Sequence, residues 1–189
     1  MTLLEPVEPR LRRDAARNRE RVLIAGRAAL DSGETLQLNE IARIAGVGVG
    51  TVYRHFPSTA DLLESLVAEK LQNLLAEARS ATSQENAWDA LTGFIVVSAT
   101  MQARDSAFAT VMASTTDVLP TTTTLKSSLS RLFERLIERA RDAGAIRPEF
   151  YARELRHMVS GLAYSIRLGG NEKPTSSIYF ESFFRSIKA

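Results

Sequence analysis

Residues 46–57 read GVGVGTVYRHFP, three glycines at alternate positions running into Thr51, Tyr53, Arg54 and His55. Glycine lets a backbone approach another molecule closely, and the side chains that follow are hydrogen-bonding ones. A metal site, a phosphate-binding loop and a nucleic-acid reader are therefore the chemistries to weigh. The metal site fails on ligand number: His55 and His157 are the only two histidines and there is no cysteine, too few for zinc without carboxylates. The nucleotide loop fails on pattern, because GVGVG lacks the GxGxxG spacing, has no GK[ST], and follows a helical segment rather than a strand. No Ser, Asp or Glu shows a motif that would pair with either histidine as a triad, so neither a cofactor nor enzymatic chemistry is expected.

The nucleic-acid reading depends on what holds the stretch in place. Upstream lies LNEIARIA, in which Leu38, Ile41, Ala42 and Ala45 fall at i, i+3, i+4 and i+7, the mark of a two-turn amphipathic helix. Gly46 follows where a left-handed C-cap needs no Cβ, and Val47 can tuck inward across the turn. Thr51 to Phe56 then resume a helix, with Val52 and Phe56 on one face. Short helix, glycine turn and short helix make a helix-turn-helix, whose second helix enters the major groove N-terminus first. There Gly48 and Gly50 bring the backbone near DNA, Thr51 offers a hydroxyl and a methyl to a base edge, and Tyr53, Arg54 and His55 reach phosphates. Locally, Tyr53 can instead pack beneath the helix, Phe56 reads as core, and His157, on a patterned helix, reads as a structural histidine.

Charge points the same way. Residues 9–27 carry seven arginines (10, 12, 13, 17, 19, 21 and 27) against Asp14 and Glu20, a net +5. From residue 57 onward 15 basic residues balance 15 acidic ones, so the basic end sits beside the glycine stretch and suits a polyanion. An Arg-rich exposed helix face explains the same charge without a partner.

The rest of the 189 residues show helical periodicity and no convincing alternation, so the fold is expected to be all-α. Helices are expected over about 14–32 and 59–80, then around Trp88–Met101, Leu125–Ala140, Leu155–Ile166 and Phe180–Ile187. Pro57-Ser58-Thr59, Leu119-Pro120, Gly144 and Gly169-Gly170 with Pro174 separate them. Leu119-Pro120 followed by four threonines starts a further helix, with the Thr121–Thr124 run itself reading as a loop and cap or, alternatively, as part of a cavity lining. No apolar run reaches the roughly 18 residues of a membrane span, and MTLLEPVEPR lacks the basic and apolar regions of a leader, so a cytoplasmic protein without membrane contact is expected.

From about Arg17 to Leu75, the run RERVLIAGRAAL…LNEIARIAGVGVGTVYRHFPSTADLLESLV resembles the N-terminal domain of TetR-family transcriptional regulators, with IA…AGV…GTVYRHFP as its most specific part. The resemblance implies about nine helices: a three-helix DNA-binding domain at 14–60 (motif 38–57), then an effector-binding and dimerisation domain at 61–189. It implies DNA contacts at Arg17, Asn39, Arg43, Gly48, Val49, Gly50, Thr51, Tyr53, Arg54 and His55. The chain departs from the family pattern at Thr59, where Lys is usual, at Gly26, where Ala is usual, and at Gln37-Leu38-Asn39, which makes Asn39 the expected cap.

The resemblance implies that the last two helices, at about 150–168 and 175–188, pair with those of a second copy. Ser160, Gly161 and Ala163 permit close approach, Tyr164 lies on the same helix, and Phe180, Phe183, Phe184 and Ile187 give an apolar face that serves the chain's own core as well. The resemblance implies that the middle helices enclose an effector cavity. Its wall candidates are Trp88, Phe94, Met101, Phe108, Met112, Phe133, Leu136, Met158 and Leu162, with Ser98 and Gln102 as polar anchors; any one of these can equally be plain core. The function expected is a homodimeric repressor on a two-fold symmetric operator, released by a small apolar or amphipathic ligand. A DNA-binding dimer without such an effector shares every N-terminal residue, and an all-α enzyme is the remaining class.

Overall fold

The structure, a computed structural model, describes residues 7–169 and 173–189. Among them the chain forms nine α-helices: α1 (Val7–Asp31), α2 (Leu38–Ala45), α3 (Val49–His55), α4 (Thr59–Thr82), α5 (Ala87–Arg104), α6 (Ser106–Ala113), α7 (Pro120–Asp142), α8 (Ala152–Leu168) and α9 (Lys173–Ile187). The only extended pairing among the described residues is a single antiparallel bridge between Ile146 and Lys188. Two compact units divide after Leu66, inside α4, a little beyond the boundary expected from the sequence.

The first unit is built around α2 and α3. α1 begins at Val7 rather than near residue 14, because its leading turns are polar and carry no apolar period to read. Its later turns bury Val22, Ala25 and Ala29 against Leu38, Ile41, Ala42 and Ala45 of α2, Val52 of α3, then Phe56 and Leu62. Val22, Val52 and Leu62 are fully sealed, and each such side chain contributes about 1.5–3 kcal/mol of burial. Gly26 is explained by this packing: a Cβ there would lie 3.2 Å from Leu66 Cδ1 and 3.4 Å from Leu62 Cδ2. Arg27 ties the same region by donating from its guanidinium to Leu66 O at 2.7 Å.

The second unit packs α5 between α7 and α8, with α6 against α5 and α9 against α8. Its helix ends are closed by specific side chains. Asn86 Oδ1 accepts from Trp88 N and Asp89 N at 3.0 and 3.1 Å, and Asp105 Oδ1 accepts from Phe108 N at 2.9 Å, capping α5 and α6. Arg139 donates to the carbonyl of Thr82, the last residue of α4, and to that of Gln84 just beyond it. Gly144, at φ 64°, turns the chain out of α7, and Ala145 N donates to Ala140 O at 2.8 Å.

Two sequence expectations are corrected here. The Thr121–Thr124 run is no loop; it forms the first turns of α7 behind Pro120, with Thr124 Oγ1 donating to Pro120 O at 2.8 Å and Thr122 buried. Pro starts a helix without losing a needed N–H, and the hydroxyls bond back onto the preceding turn. Pro174 stands in the first turn of α9 for the same reason, whereas Gly170 lies outside the described residues.

Candidate nucleic-acid interface and effector cavity

α2 ends as its sequence requires. Gly46 adopts φ 61° and ψ 40°, its N–H donates to Arg43 O at 3.2 Å, and Val47 N donates to Ala42 O at 3.0 Å, so the free carbonyls are satisfied while Val47 turns inward. The start of α2 differs from expectation. Gln37 occupies the cap without a side-chain hydrogen bond, and Asn39 is one residue inside the helix, exposed. The helix has to begin at Leu38 because that side chain belongs to the core, which leaves Asn39 on the outer face.

α3 spans Val49–His55, earlier at both ends than the 51–56 expected. Gly48, extended at φ −60° and ψ 136°, accepts from Thr51 N and Val52 N at 2.8 and 3.1 Å, so the first turn forms around it. At the other end Pro57 forbids a helical Phe56, whose ring nonetheless fills the core. Ser58 and Asp61 then cap α4 reciprocally: Ser58 N donates to Asp61 Oδ2 at 2.9 Å and Asp61 N donates to Ser58 Oγ at 3.2 Å.

One surface of this unit collects most of the residues singled out in the sequence. Asn39, Arg43, Gly48, Val49, Gly50, Tyr53 and Arg54 are exposed, and Thr51 and His55 half-buried. Arg17 is exposed on α1. Tyr53 is 45 % exposed, so it does not pack beneath the helix. The exposed side chains Ile44 and Val49 add apolar area that sequence reading assigned to no partner in the first case. Gly50 is not required by the chain itself, whereas Gly48 holds the cap of α3, where glycine is among the favoured residues. Neither has a positive φ, and a Cβ on Gly50 would meet nothing within 4 Å while one on Gly48 would meet only Thr51 Oγ1 at 3.8 Å.

The cations of this face are held by neighbours. Arg43 is fully solvated and paired with Glu40, its Nε donating to Oε2 at 3.0 Å; that hydrogen bond holds the Glu40 carboxyl below its usual range and the Arg43 guanidinium above its own. Arg54 Nε folds back to donate to Gly50 O at 3.2 Å. Exposed pairs of this kind are weak and exchange readily for a phosphate.

The second unit contains a cavity of about 90 Å³. Of the expected wall, Phe94, Met112, Phe133, Ser98 and Gln102 line it. The rings of Phe94 and Phe133 lie 5.6 Å apart, and Ser98 and Gln102 are buried. Gln102 Nε2 donates to Ser98 Oγ at 3.2 Å and Ser160 Oγ donates to Gln102 Oε1 at 3.4 Å, a polar cluster with long bonds at the cavity wall. The structure does not bring Trp88, Met101, Phe108, Leu136, Met158 or Leu162 to this wall. Phe108 and Leu136 are sealed core, and Trp88 stacks edge-on with Phe184 beneath Lys188. Ile95, Leu129 and Val159 complete the apolar lining; their helical period was legible but not their direction. Lys126, Ser130 and Arg156 also line it, and nothing in the sequence marked them.

Of the expected dimer face, Gly161 and Tyr164 are exposed on α8, where Leu168, 70 % exposed, extends the same stripe at i+4. Ser160 instead lines the cavity. Phe183 and Ile187 are buried within the chain, and Phe180 and Phe184 are half-buried in a cluster with them, so this aromatic group closes the chain's own core. Ile178 is the exposed apolar residue of α9.

Residues 34–66 match the family of bacterial regulatory proteins, tetR family. An HTH-type transcriptional regulator of Staphylococcus aureus strain MRSA252 is 32 % identical over 88 residues, 45 % of this chain and 46 % of that protein. The chain thus spans less than half the length of such relatives. A TetR transcription regulatory protein from Mycobacterium vanbaalenii is 25 % identical with a TM-score of 0.50, covering 95 % of this chain and 99 % of the other. The fold is shared with FadR from Bacillus subtilis, solved with stearoyl-CoA (TM-score 0.62, 17 % identity, 88 % of this chain and 95 % of that one). It is shared as well with RolR, solved with resorcinol (TM-score 0.62, 14 % identity, 93 % and 89 %). Residues 34–66 thus carry the helix-turn-helix segment that the TetR family model describes, and the remainder of the chain shares the fold of solved regulators of that kind.

Proposed function

We propose that this chain is a homodimeric, cytoplasmic transcriptional repressor that binds a two-fold symmetric DNA operator and leaves it when a small apolar or amphipathic ligand enters the second unit. The observation that carries the DNA-reading half is Gly50 in the first turn of α3. A seven-residue helix gives up stability by holding glycine, and nothing inside the chain asks for it. A phosphate backbone lying against the start of α3 does, with Thr51 toward a base edge and Tyr53, Arg54, Arg43 and Arg17 toward phosphates.

The cavity supports the ligand-responsive half over a dimer without an effector, and solved regulators of the same fold hold resorcinol and stearoyl-CoA. Among the described residues no group of three metal-ligating side chains assembles and no helix is long and apolar enough to cross a membrane. Release follows if the ligand favours a dimer state whose recognition helices no longer match half-sites about 34–36 Å apart. A ligand with equal affinity for both states shifts nothing.

The test is footprinting of the purified protein on the DNA upstream of its own gene, at near-physiological salt with excess random competitor, since arginines bind any DNA at low salt. A protected two-fold symmetric site is the expected result. Thr51→Ala is expected to change sequence preference, and Tyr53→Phe to weaken all sequences alike. Equal losses on operator and random DNA for Thr51→Ala would refute the base-reading role.

A further inference from the structure

The cavity of the second unit opens into a wider groove, and the two share a throat formed by Met112, Ser114, Lys126, Ser130, Arg156 and Ser160. The two cations of that throat differ in what they have left to give. Lys126 spends its ammonium inside the chain, donating to Val111 O at 3.0 Å, Ser114 O at 2.8 Å and Asp117 Oδ1 at 2.7 Å. Its charge is cancelled by Asp117, the one carboxylate lining the groove. Arg156 makes no ion pair and no side-chain hydrogen bond among the described residues, so its five N–H donors and its charge remain unspent. Beside it, Ser127 and Ser130 face the groove with hydroxyls that likewise bond nothing among the described residues, and His157 completes the wall.

Behind the throat the chamber is apolar. Phe94, Ile95, Leu129, Phe133 and Val159 line it, with the long-bonded Gln102–Ser98 pair beside them. A space of about 90 Å³ is smaller than the ~150 Å³ that encloses a benzene ring, so it accepts a chain of a few carbons or the edge of one ring. The rest of the molecule then lies at the throat, under Arg156.

We infer that the ligand of this cavity is a small monoanionic organic acid, its short apolar tail against Phe94 and Phe133 and its carboxylate on Arg156 and the Ser130 hydroxyl. One uncompensated guanidinium matches one negative charge, and its planar fork fits the two oxygens of a carboxylate. A neutral amphiphile leaves that fork without a partner, and a dianion exceeds the charge available once Lys126 is tied to Asp117. This inference rests on the effector reading given above, and Arg156 is its specificity-determining residue.

Calorimetric titration of the full chain with two matched sets of probes tests it: hexanoate against hexan-1-ol, and benzoate against benzamide, with acetate as a tail-free control. Hexanoate is expected to bind about tenfold more tightly than hexan-1-ol, the scale of one charge-assisted bidentate contact. Acetate is expected not to bind measurably. Arg156→Gln is expected to abolish the preference for the acid while leaving hexan-1-ol unchanged; Arg131→Gln, on the outer side of α7, controls for net charge. Equal binding of acid and alcohol overturns the acid assignment and leaves the effector reading standing. Acetate binding as tightly as hexanoate overturns it as well, because the chamber then contributes nothing. If no probe of either set binds, the effector reading falls and this inference with it.

Discussion

Gly50 sits in ordinary helical backbone with open space where its Cβ would be, so glycine there costs α3 about 1 kcal/mol relative to alanine without any return inside the chain. Gly50→Ala is expected to raise the urea stability of the first unit by about 0.5–1 kcal/mol and to weaken operator binding at least tenfold. A stabilised variant with undiminished affinity would remove the close-approach argument altogether. Glu40 makes a second case. It is the acidic residue paired with Arg43 on the exposed face of α2, and its charge opposes any phosphate that Arg43 would meet. Glu40→Gln frees Arg43 and deletes that repulsion, so binding should tighten on operator and random DNA alike, with a steeper loss of affinity as salt rises. Fluorescence anisotropy across a salt series reads both effects, and an unchanged slope would mean that Arg43 contacts no phosphate.

Elements differ in how far their sequence betrays them. α2 was legible in its span and its C-terminal end, though not at its N-cap, because Leu38, Ile41, Ala42 and Ala45 repeat with the helical period and Gly46 closes the helix at φ 61°. α3 was legible in kind but shifted, since Gly48 accepts the first turn's hydrogen bonds without offering any side-chain signal. α6 carried no apolar stripe long enough to be read alone, and it is held by the Asp105 cap and by Lys70, which pairs with Asp105. The cavity was half legible. Phe94, Phe133, Ser98 and Gln102 are residue types that line pockets, whereas the places of Lys126 and Arg156 depend on how α7 and α8 are rotated, which no local pattern encodes. Lys126 shows what that rotation accomplishes. Its ammonium alone joins the end of α6, the following loop and α7. Lys126→Met, similar in length but without donors, removes the side-chain donor from Ser114 O and from the mostly buried Asp117, while Val111 O keeps Ser114 N. A loss of about 1–3 kcal/mol in denaturant stability is expected, with faster amide exchange across residues 111–119 as the local readout.

For the molecule as a whole, the exposed stripe of Gly161, Tyr164 and Leu168 on α8 is the surface left over once Phe183 and Ile187 are committed to the core. If it pairs two copies, Tyr164→Glu should convert the dimer to a monomer in sedimentation at unchanged helicity and remove the two-fold footprint, while binding to random DNA persists. A variant that remains dimeric would place the interface elsewhere. The two units also differ in how their chain closes. Every packing contact of the first unit described above falls within residues up to Leu66. The second is closed by a clasp between distant segments: Arg147 N donates to Ile187 O at 3.0 Å and Ala189 N donates to Ala145 O at 3.3 Å, around the Ile146–Lys188 bridge. On a ribosome that difference becomes one of timing. The packing partners of the first unit named above are present while synthesis is still under way, whereas residues 145–147 must wait, unpaired, for residues 187–189 to emerge.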